Sequence, residues 1–243
     1  MKRSPFGDLS ADLQALLNGA STQRPFGAGA SLVEERGTSG HLHFLAAGWA
    51  YRYATTRDGM RQILAVLLPG DFCNPDSLSL PRSEYGARAL TPVTLSSVAT
   101  TSAMKLARQR PELMQLFLRA IAIENAMLGR WALCLGRMSA QARLAHLFCE
   151  VAVRLEGLTH GDSYTFDLPL TQEQVADVLG LTPVHVNRTL QNLRAQGLLE
   201  TRGRTVTIRS MAALAQVGEF DPGYLHRPSV APSGSDEMDK RSA

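Results

Sequence analysis

Between Pro25 and Leu106 the apolar stretches are short, and turn-forming clusters interrupt them at Gly37-Thr38-Ser39-Gly40, Asp58-Gly59 and Pro69-Gly70-Asp71. This pattern predicts strands. The clearest piece is a hairpin. Trp49, Tyr51 and Tyr53 alternate with smaller or polar residues, Arg57-Asp58-Gly59-Met60 reverses the chain, and Ile63 to Leu68 returns as a buried strand. Regularly spaced short strands suggest a small sandwich or β-roll.

The period changes after Pro111, a residue suited to the first turn of a helix because it has no amide hydrogen to leave unpaired there. Met114, Phe117, Ile121, Leu128, Trp131 and Leu135 fall at steps of three and four, with Glu124 interrupting, so one stripe stays apolar along a long helix. Leu113, Leu116, Ala120, Ile123 and Met127 form a second stripe beside it. Two apolar faces need two partners: the chain's own β-domain, and the same helix of a second copy. Gly136 and Ser139 predict a break and a new helix start, with Leu144, Leu147, Phe148 and Val151 on one face of the helix that follows. Two short strands are expected near the end of the remaining unit, and beyond Arg227 the Pro, Ser and charged residues predict a frayed tail.

The segment Leu170 to Leu193 reads as two short helices joined at Gly180. Thr171 suits the cap of the first, with Gln174 at the capping-box position, and Thr182 with Pro183 suits the start of the second. Ala176 is small where the helices cross, Gly180 tolerates the left-handed turn, and Val186 and Leu190 bury the second helix against the first. This leaves Val184, His185, Asn187, Arg188 and Gln191 on or near the outward side, where a major groove would be read. Leu198 to Thr201 and Thr205 to Ile208 then make a hairpin over Arg202-Gly203-Arg204, a basic wing. The expected DNA contacts are Thr171, Gln172, Thr182, Val184, His185, Asn187, Arg188, Gln191, Arg202 and Arg204.

Composition changes this picture only in places. The 243 residues carry 44% hydrophobic and 19% charged side chains, which suits an ordinary globular protein. A net charge of +3 argues nothing alone, but five arginines and one acid between Leu181 and Ser210 mark a local phosphate-binding surface. No run of about eighteen apolar residues occurs, and Met1 to Ser10 lacks the apolar core of a signal peptide, so no membrane association and a cytoplasmic location are expected. Cys73, Cys134 and Cys149 are too far apart for a metal half-site and odd in number, and are expected reduced and packed.

In this order, the residues resemble the Crp/Fnr family of bacterial transcription regulators. The likeness is strongest in Leu170 to Leu199 and in Trp49 to Leu78, where Arg61-Gln62-Ile63 and Leu68-Pro69-Gly70-Asp71-Phe72 look like the family's central hairpin and turn. The resemblance implies an α+β chain with no enzymatic activity: a cyclic-nucleotide-binding-like β-roll over 1–110, a dimerisation helix and hinge over 111–138, a winged helix-turn-helix over 139–216 and a partly disordered extension over 217–243. It also implies a homodimer on a palindromic operator in double-stranded DNA, contact with RNA polymerase, and control by an unidentified signal at the β-roll. The dimer interface is expected from Met114, Phe117, Ile121, Leu128, Trp131 and Leu135; for Trp49, Tyr51, Tyr53 and Tyr85 an effector pocket is one reading, and core or strand-face packing is the more ordinary one.

Departures narrow the cofactors. The recognition-helix glutamate of the family falls at Val184, while its arginine is kept at Arg188. The family's Gly-Glu and Arg-Ser or Arg-Thr pairs for cyclic nucleotide are replaced by Cys73-Asn74-Pro75-Asp76 and Glu84-Tyr85-Gly86-Ala87, with Arg82 and Arg88 out of register. Cyclic AMP is therefore not expected. No cysteine precedes Cys73, so an iron-sulfur cluster is not expected either. The alternative is a haem- or metal-containing sensor or cupin-like protein using His41 and His43, with Cys73 as a further axial candidate, and haem stays open.

Overall fold

The computed structural model describes residues 21–155, 158–160 and 162–226. The stretch beyond Arg227 expected to fray, and Met1 to Ser10, lie outside these residues. Seven strands build the N-terminal unit: β1 (Ser21–Phe26), β2 (Ser31–Val33), β3 (His41–Ala47), β4 (Ala50–Thr55), β5 (Arg61–Leu67), β6 (Gly86–Ala89) and β7 (Val93–Ala99). They form two antiparallel sheets, ordered β1-β7-β3 and β2-β6-β4-β5. Leu45 and Leu95 from one sheet and Ala50, Leu67, Ala87 and Ala89 from the other share a core between them. The turn from β3 to β4 requires Gly48: its φ is +84°, and a Cβ there would stand 2.3 Å from the Pro92 carbonyl oxygen.

The sequence pattern extends the strand region to Leu106, but the structure makes α1 (Thr100–Gln109) helical. Ala103 and Ala107, four apart, are the two buried residues of this helix, and such small side chains give a weak apolar signal. Pro111 then opens α2 (Pro111–Arg137), which continues through Gly136 before breaking at Met138. The side-chain oxygen of Ser139 accepts from the Ala142 amide at 3.2 Å as α3 (Ala140–Leu155) begins.

The helix-turn-helix consists of α4 (Gln172–Leu179) and α5 (Pro183–Ala195), and α6 (Met211–Val217) packs against α3. The expected wing is present as β10 (Leu199–Arg202) and β11 (Thr205–Ile208). It belongs to a larger sheet, because β8 (Leu158–His160) and β9 (Ser163–Asp167) extend it in the order β10-β11-β9-β8. The alternation Ser163-Tyr164-Thr165-Phe166-Asp167, with Phe166 buried, was the available signal for the added strand.

The phase of α2 differs from the expectation in two positions. Phe117 and Trp131 are 2% and 9% exposed and belong to the chain's own core, together with Leu113, Ala120, Ile123, Met127 and Cys134. The outward stripe is Met114, Leu118, Ile121, Asn125, Leu128, Ala132 and Leu135, at steps of four and three. The two bulkiest side chains turned inward because burial there removes the most apolar surface from water.

Ahead of the stretch expected to fray, residues 218–226 of the C-terminal extension turn back onto the protein, and Leu225 is fully buried in a cluster with Leu42, Phe72, Val98 and Phe117.

Candidate nucleic-acid interface

Local chemistry fixes the helix-turn-helix. The Thr171 hydroxyl accepts from the Gln174 amide at 3.1 Å while the Thr171 amide donates to Gln174 Oε1 at 2.9 Å, a closed capping box. Gly180 ends α4 with φ +62°, the left-handed conformation a side chain would resist. Thr182 Oγ1 accepts from the His185 amide at 3.3 Å, and Pro183 occupies the first turn of α5. Ala176, Val186 and Leu193 are buried between the helices and their support.

The outward face of α5 presents Val184, Arg188 and Gln191 to solvent, with His185 and Asn187 half-buried beside them. Val184 is 81% exposed, although it is a branched apolar side chain. Thr171, Gln172 and Thr182 are exposed at the two helix starts, where free amide hydrogens and the helix dipole favour phosphate. Arg202 and Arg204 are exposed on either side of Gly203 at the wing tip. All ten expected contacts therefore lie on one accessible unit. Two further arginines of the basic cluster serve the wing itself: Arg194 donates to the Thr201 carbonyl at 3.1 Å, and Arg209 pairs with Glu200.

The β-roll carries a different set of polar groups. Arg52 is buried, pairs with Glu124 of α2, donates to the Tyr85 hydroxyl at 3.2 Å and lies 4.9 Å over the Tyr85 ring. Arg154 of α3, fully buried, pairs with Asp71 and Glu150 and donates to the Val66 carbonyl at 2.9 Å. Trp131 Nε1 donates to Glu150 at 3.0 Å. A cavity of about 180 Å³ opens between β5, α2 and α3, lined by Ile63, Val66, Leu128, Trp131 and Leu147. Trp49, Tyr51, Tyr53 and Tyr85 do not line it, and the first three pack as core and strand-face aromatics instead. Tyr51 is core, Tyr53 covers Gly86 and packs 5.8 Å from Tyr51, Trp49 packs at the edge of that core, and Tyr85 serves Arg52.

His41 and His43 stack with ring centroids 6.1 Å apart, and His43 Nδ1 lies 2.7 Å from Ser97 Oγ. Burial, and then the neighbouring His41, lowers the His43 pKa to about 4. Among the described residues no group of three His, Cys, Asp or Glu side chains is placed to hold a metal. Cys73, Cys134 and Cys149 are buried free thiols, as their wide spacing suggested.

A β-roll joined by a long helix to an exposed, capped helix-turn-helix with a basic wing defines a DNA-binding transcription regulator. Comparison with known proteins agrees over both halves: residues 23–110 match the cyclic nucleotide-binding domain and residues 142–217 the Crp-like helix-turn-helix domain. The chain belongs to the Crp/Fnr family of transcription regulators, and not to an enzyme family. It is similar to the transcriptional activator protein FnrL of Cereibacter sphaeroides, with 29% identity over 207 residues, 83% of each chain. The nitrogen fixation regulation protein FixK of Bradyrhizobium diazoefficiens is 29% identical over 174 residues, 72% of each chain. The solved structure of FixK2 from Bradyrhizobium japonicum superposes with a TM-score of 0.73 at 27% identity, covering 81% of this chain and 96% of that one.

Proposed function

We propose that this chain acts as a homodimer that recognises a palindromic operator, engages RNA polymerase from there, and receives its signal at the β-roll. The observation that carries the reading is the outward stripe of α2. Leu118, Ile121, Leu128 and Leu135 stand apolar along a helix whose opposite face is already committed to the chain's own core. Steps of four and three are the period of a two-stranded coiled coil, and a polar Asn125 in the position pairing with its symmetry mate favours one register. A two-fold dimer would carry two copies of the exposed α5, and inverted half-sites follow from that symmetry.

Arg188 supplies the base contact, since its guanidinium can place two hydrogen bonds on guanine O6 and N7. Val184 has no acceptor for a cytosine amino group, but its exposed methyls can pack on a thymine methyl. The wing arginines contribute phosphate contacts.

Cyclic AMP is not the signal in this reading. Arg82 is exposed and pairs with Glu84, Arg88 is exposed beside the Tyr53 ring, and Arg52 inside the roll is already taken by Glu124. A phosphate without a partner arginine loses its strongest hydrogen bonds. No helix among the described residues is long and apolar enough to cross a membrane, and a cytoplasmic regulator is the corresponding assignment.

Sedimentation of the wild type and of Leu128→Glu tests the dimer. The wild type is expected to sediment as a dimer, and the variant as a folded monomer without operator binding. A variant that remains dimeric would overturn the interface, and micromolar binding of cyclic AMP in calorimetry would overturn the reading of the signal.

A further inference from the structure

The joint between α2 and α3 is short, with Met138 extended and Ser139 capping the next helix. Such a joint sets no orientation by itself. The segment following α6 does more, because it begins in the DNA-binding unit and ends inside the core of the β-roll and its helices.

Gly218 packs so closely on α3 that an added Cβ would lie 2.7 Å from the His146 amide nitrogen, and its carbonyl accepts from His146 Nδ1 at 3.0 Å. Tyr224 donates to Glu150 Oε2 at 2.7 Å, stands 3.0 Å from His146 Nε2 and stacks on that imidazole with centroids 5.8 Å apart. The Arg130 guanidinium of α2 lies 5.4 Å over the other aromatic partner, the Tyr224 ring. One residue later, Leu225 is wholly buried among Leu42 of β3, Phe72, Ala103 of α1 and Phe117 of α2. Asp221 caps the single turn between, its carboxylate accepting from the Gly223 amide at 2.8 Å. A strap with anchors in both units resists rotation about the joint.

We propose that this strap, residues 218–226, fixes the orientation of the DNA-binding unit on the β-roll, and that Tyr224 and Leu225 are positioning residues for operator recognition. In a dimer they set the separation of the two recognition helices, and so the half-site spacing the protein accepts. The inference rests on the homodimer reading above. Neither residue touches DNA. Their loss leaves each winged helix intact and changes only whether both can engage at once. Two linked sites gain about 100- to 10,000-fold from simultaneous binding, and lose that gain when geometry forbids it.

The test measures binding of the full-length wild type, Tyr224→Phe, Leu225→Met and Leu225→Asp to three sets of duplexes. These are a selected palindromic operator, the same duplex with one half-site scrambled, and operators with one base pair added to or removed from the spacer. For the wild type, the intact operator is expected to bind far more tightly than the single half-site, and the altered spacers poorly. Leu225→Asp is expected to lose about tenfold or more on the intact operator, keep its half-site affinity within about twofold, and discriminate less between spacers. Tyr224→Phe, which keeps the ring but removes the hydroxyl, is expected to show the same change in milder form, and Leu225→Met to behave as wild type.

The proposal is overturned if Leu225→Asp and Tyr224→Phe retain wild-type spacer preference, or if their losses are equal on both the intact operator and the half-site. If Leu225→Asp does not fold, Tyr224→Phe decides by the same comparison. A wild type that gains nothing from the second half-site strikes the dimer reading itself, whereas variants indistinguishable from a spacing-selective wild type strike the strap alone.

Discussion

Val184 and Arg188 share one face of α5, the one an exposed apolar side chain and the other an exposed guanidinium. Arg188→Ala is expected to remove preference for one guanine per half-site, about 1 to 3 kcal/mol of discrimination. Val184→Glu is expected to alter preference at one base pair per half-site, because it introduces an acceptor where there is now only a methyl surface. Binding-site selection on both variants checks this, and unchanged preferences would mean that α5 is not the reading helix. His43 gives a pH signature of a different kind. Its folded pKa is lowered to about 4 from the ordinary 6.5, so the unfolded chain takes up the proton first as pH falls. Stability is expected to be complete above about pH 6.5 and to decline toward pH 4, with a flatter profile in His43→Gln. Denaturant melts across that range measure the slope. The buried thiols provide the third residue-scale expectation: burial raises Cys73 and Cys149 to about 12 and Cys134 to about 11, so a thiol reagent at neutral pH should leave the native protein unmodified and react only on unfolding.

At the scale of elements, the helix-turn-helix was legible because every determinant is local. Thr171, Gln174, Gly180, Thr182 and Pro183 act within a few residues of themselves, and each does in the structure what its chemistry suggested. Thr171→Ala is expected to cost about 1 kcal/mol of stability through loss of the cap, measured by thermal melting. Arg202→Ala with Arg204→Ala should weaken specific and random DNA alike and flatten the salt dependence, and an unchanged salt slope would mean that the wing does not touch phosphate. The phase of α2 was not legible to the same degree. A helix apolar on two sides offers neighbouring stripes of the same period, and only the packed core decides that Phe117 and Trp131 turn inward while Leu118, Asn125 and Ala132 face out. Helix α1 and strands β8 and β9 escaped because their signals are short, and the strap escaped because Phe220, Tyr224 and Leu225 are spaced by Asp221-Pro222-Gly223 without a helix or strand period.

What holds the units together is non-local, and no pattern in the chain announces it. Asp71 and Arg154 are separated by 83 positions, yet they pair in the interior, with Glu150, Trp131 and Tyr224 completing the polar cluster between β-roll, α2 and α3. The hairpin tip adds a second tie, since Arg61 pairs with Asp177 of α4 at 2.6 Å and Gln62 donates to the Val178 carbonyl at 3.1 Å. Removing Asp71 takes the nearer carboxylate from the buried Arg154, which keeps only Glu150 and the Val66 carbonyl, and removes the acceptor of the Leu68 amide, so Asp71→Ala is expected to destabilise the protein by about 3 kcal/mol. Arg154→Met, which leaves apolar volume in the same space, is expected to cost less only when combined with neutralisation of Asp71; a denaturant series on the two single variants and the double variant measures that coupling. With these ties acting beside the strap, a symmetric dimer would present two identical recognition helices to DNA. The most direct test is selection of bound sequences from a random duplex library by the purified full-length protein. An inverted repeat is expected, with half-site centres about one helical turn apart and one guanine in each half lost in Arg188→Ala. Enrichment of a single half-site, of a direct repeat, or of no sequence at all would contradict the homodimer on a palindromic operator.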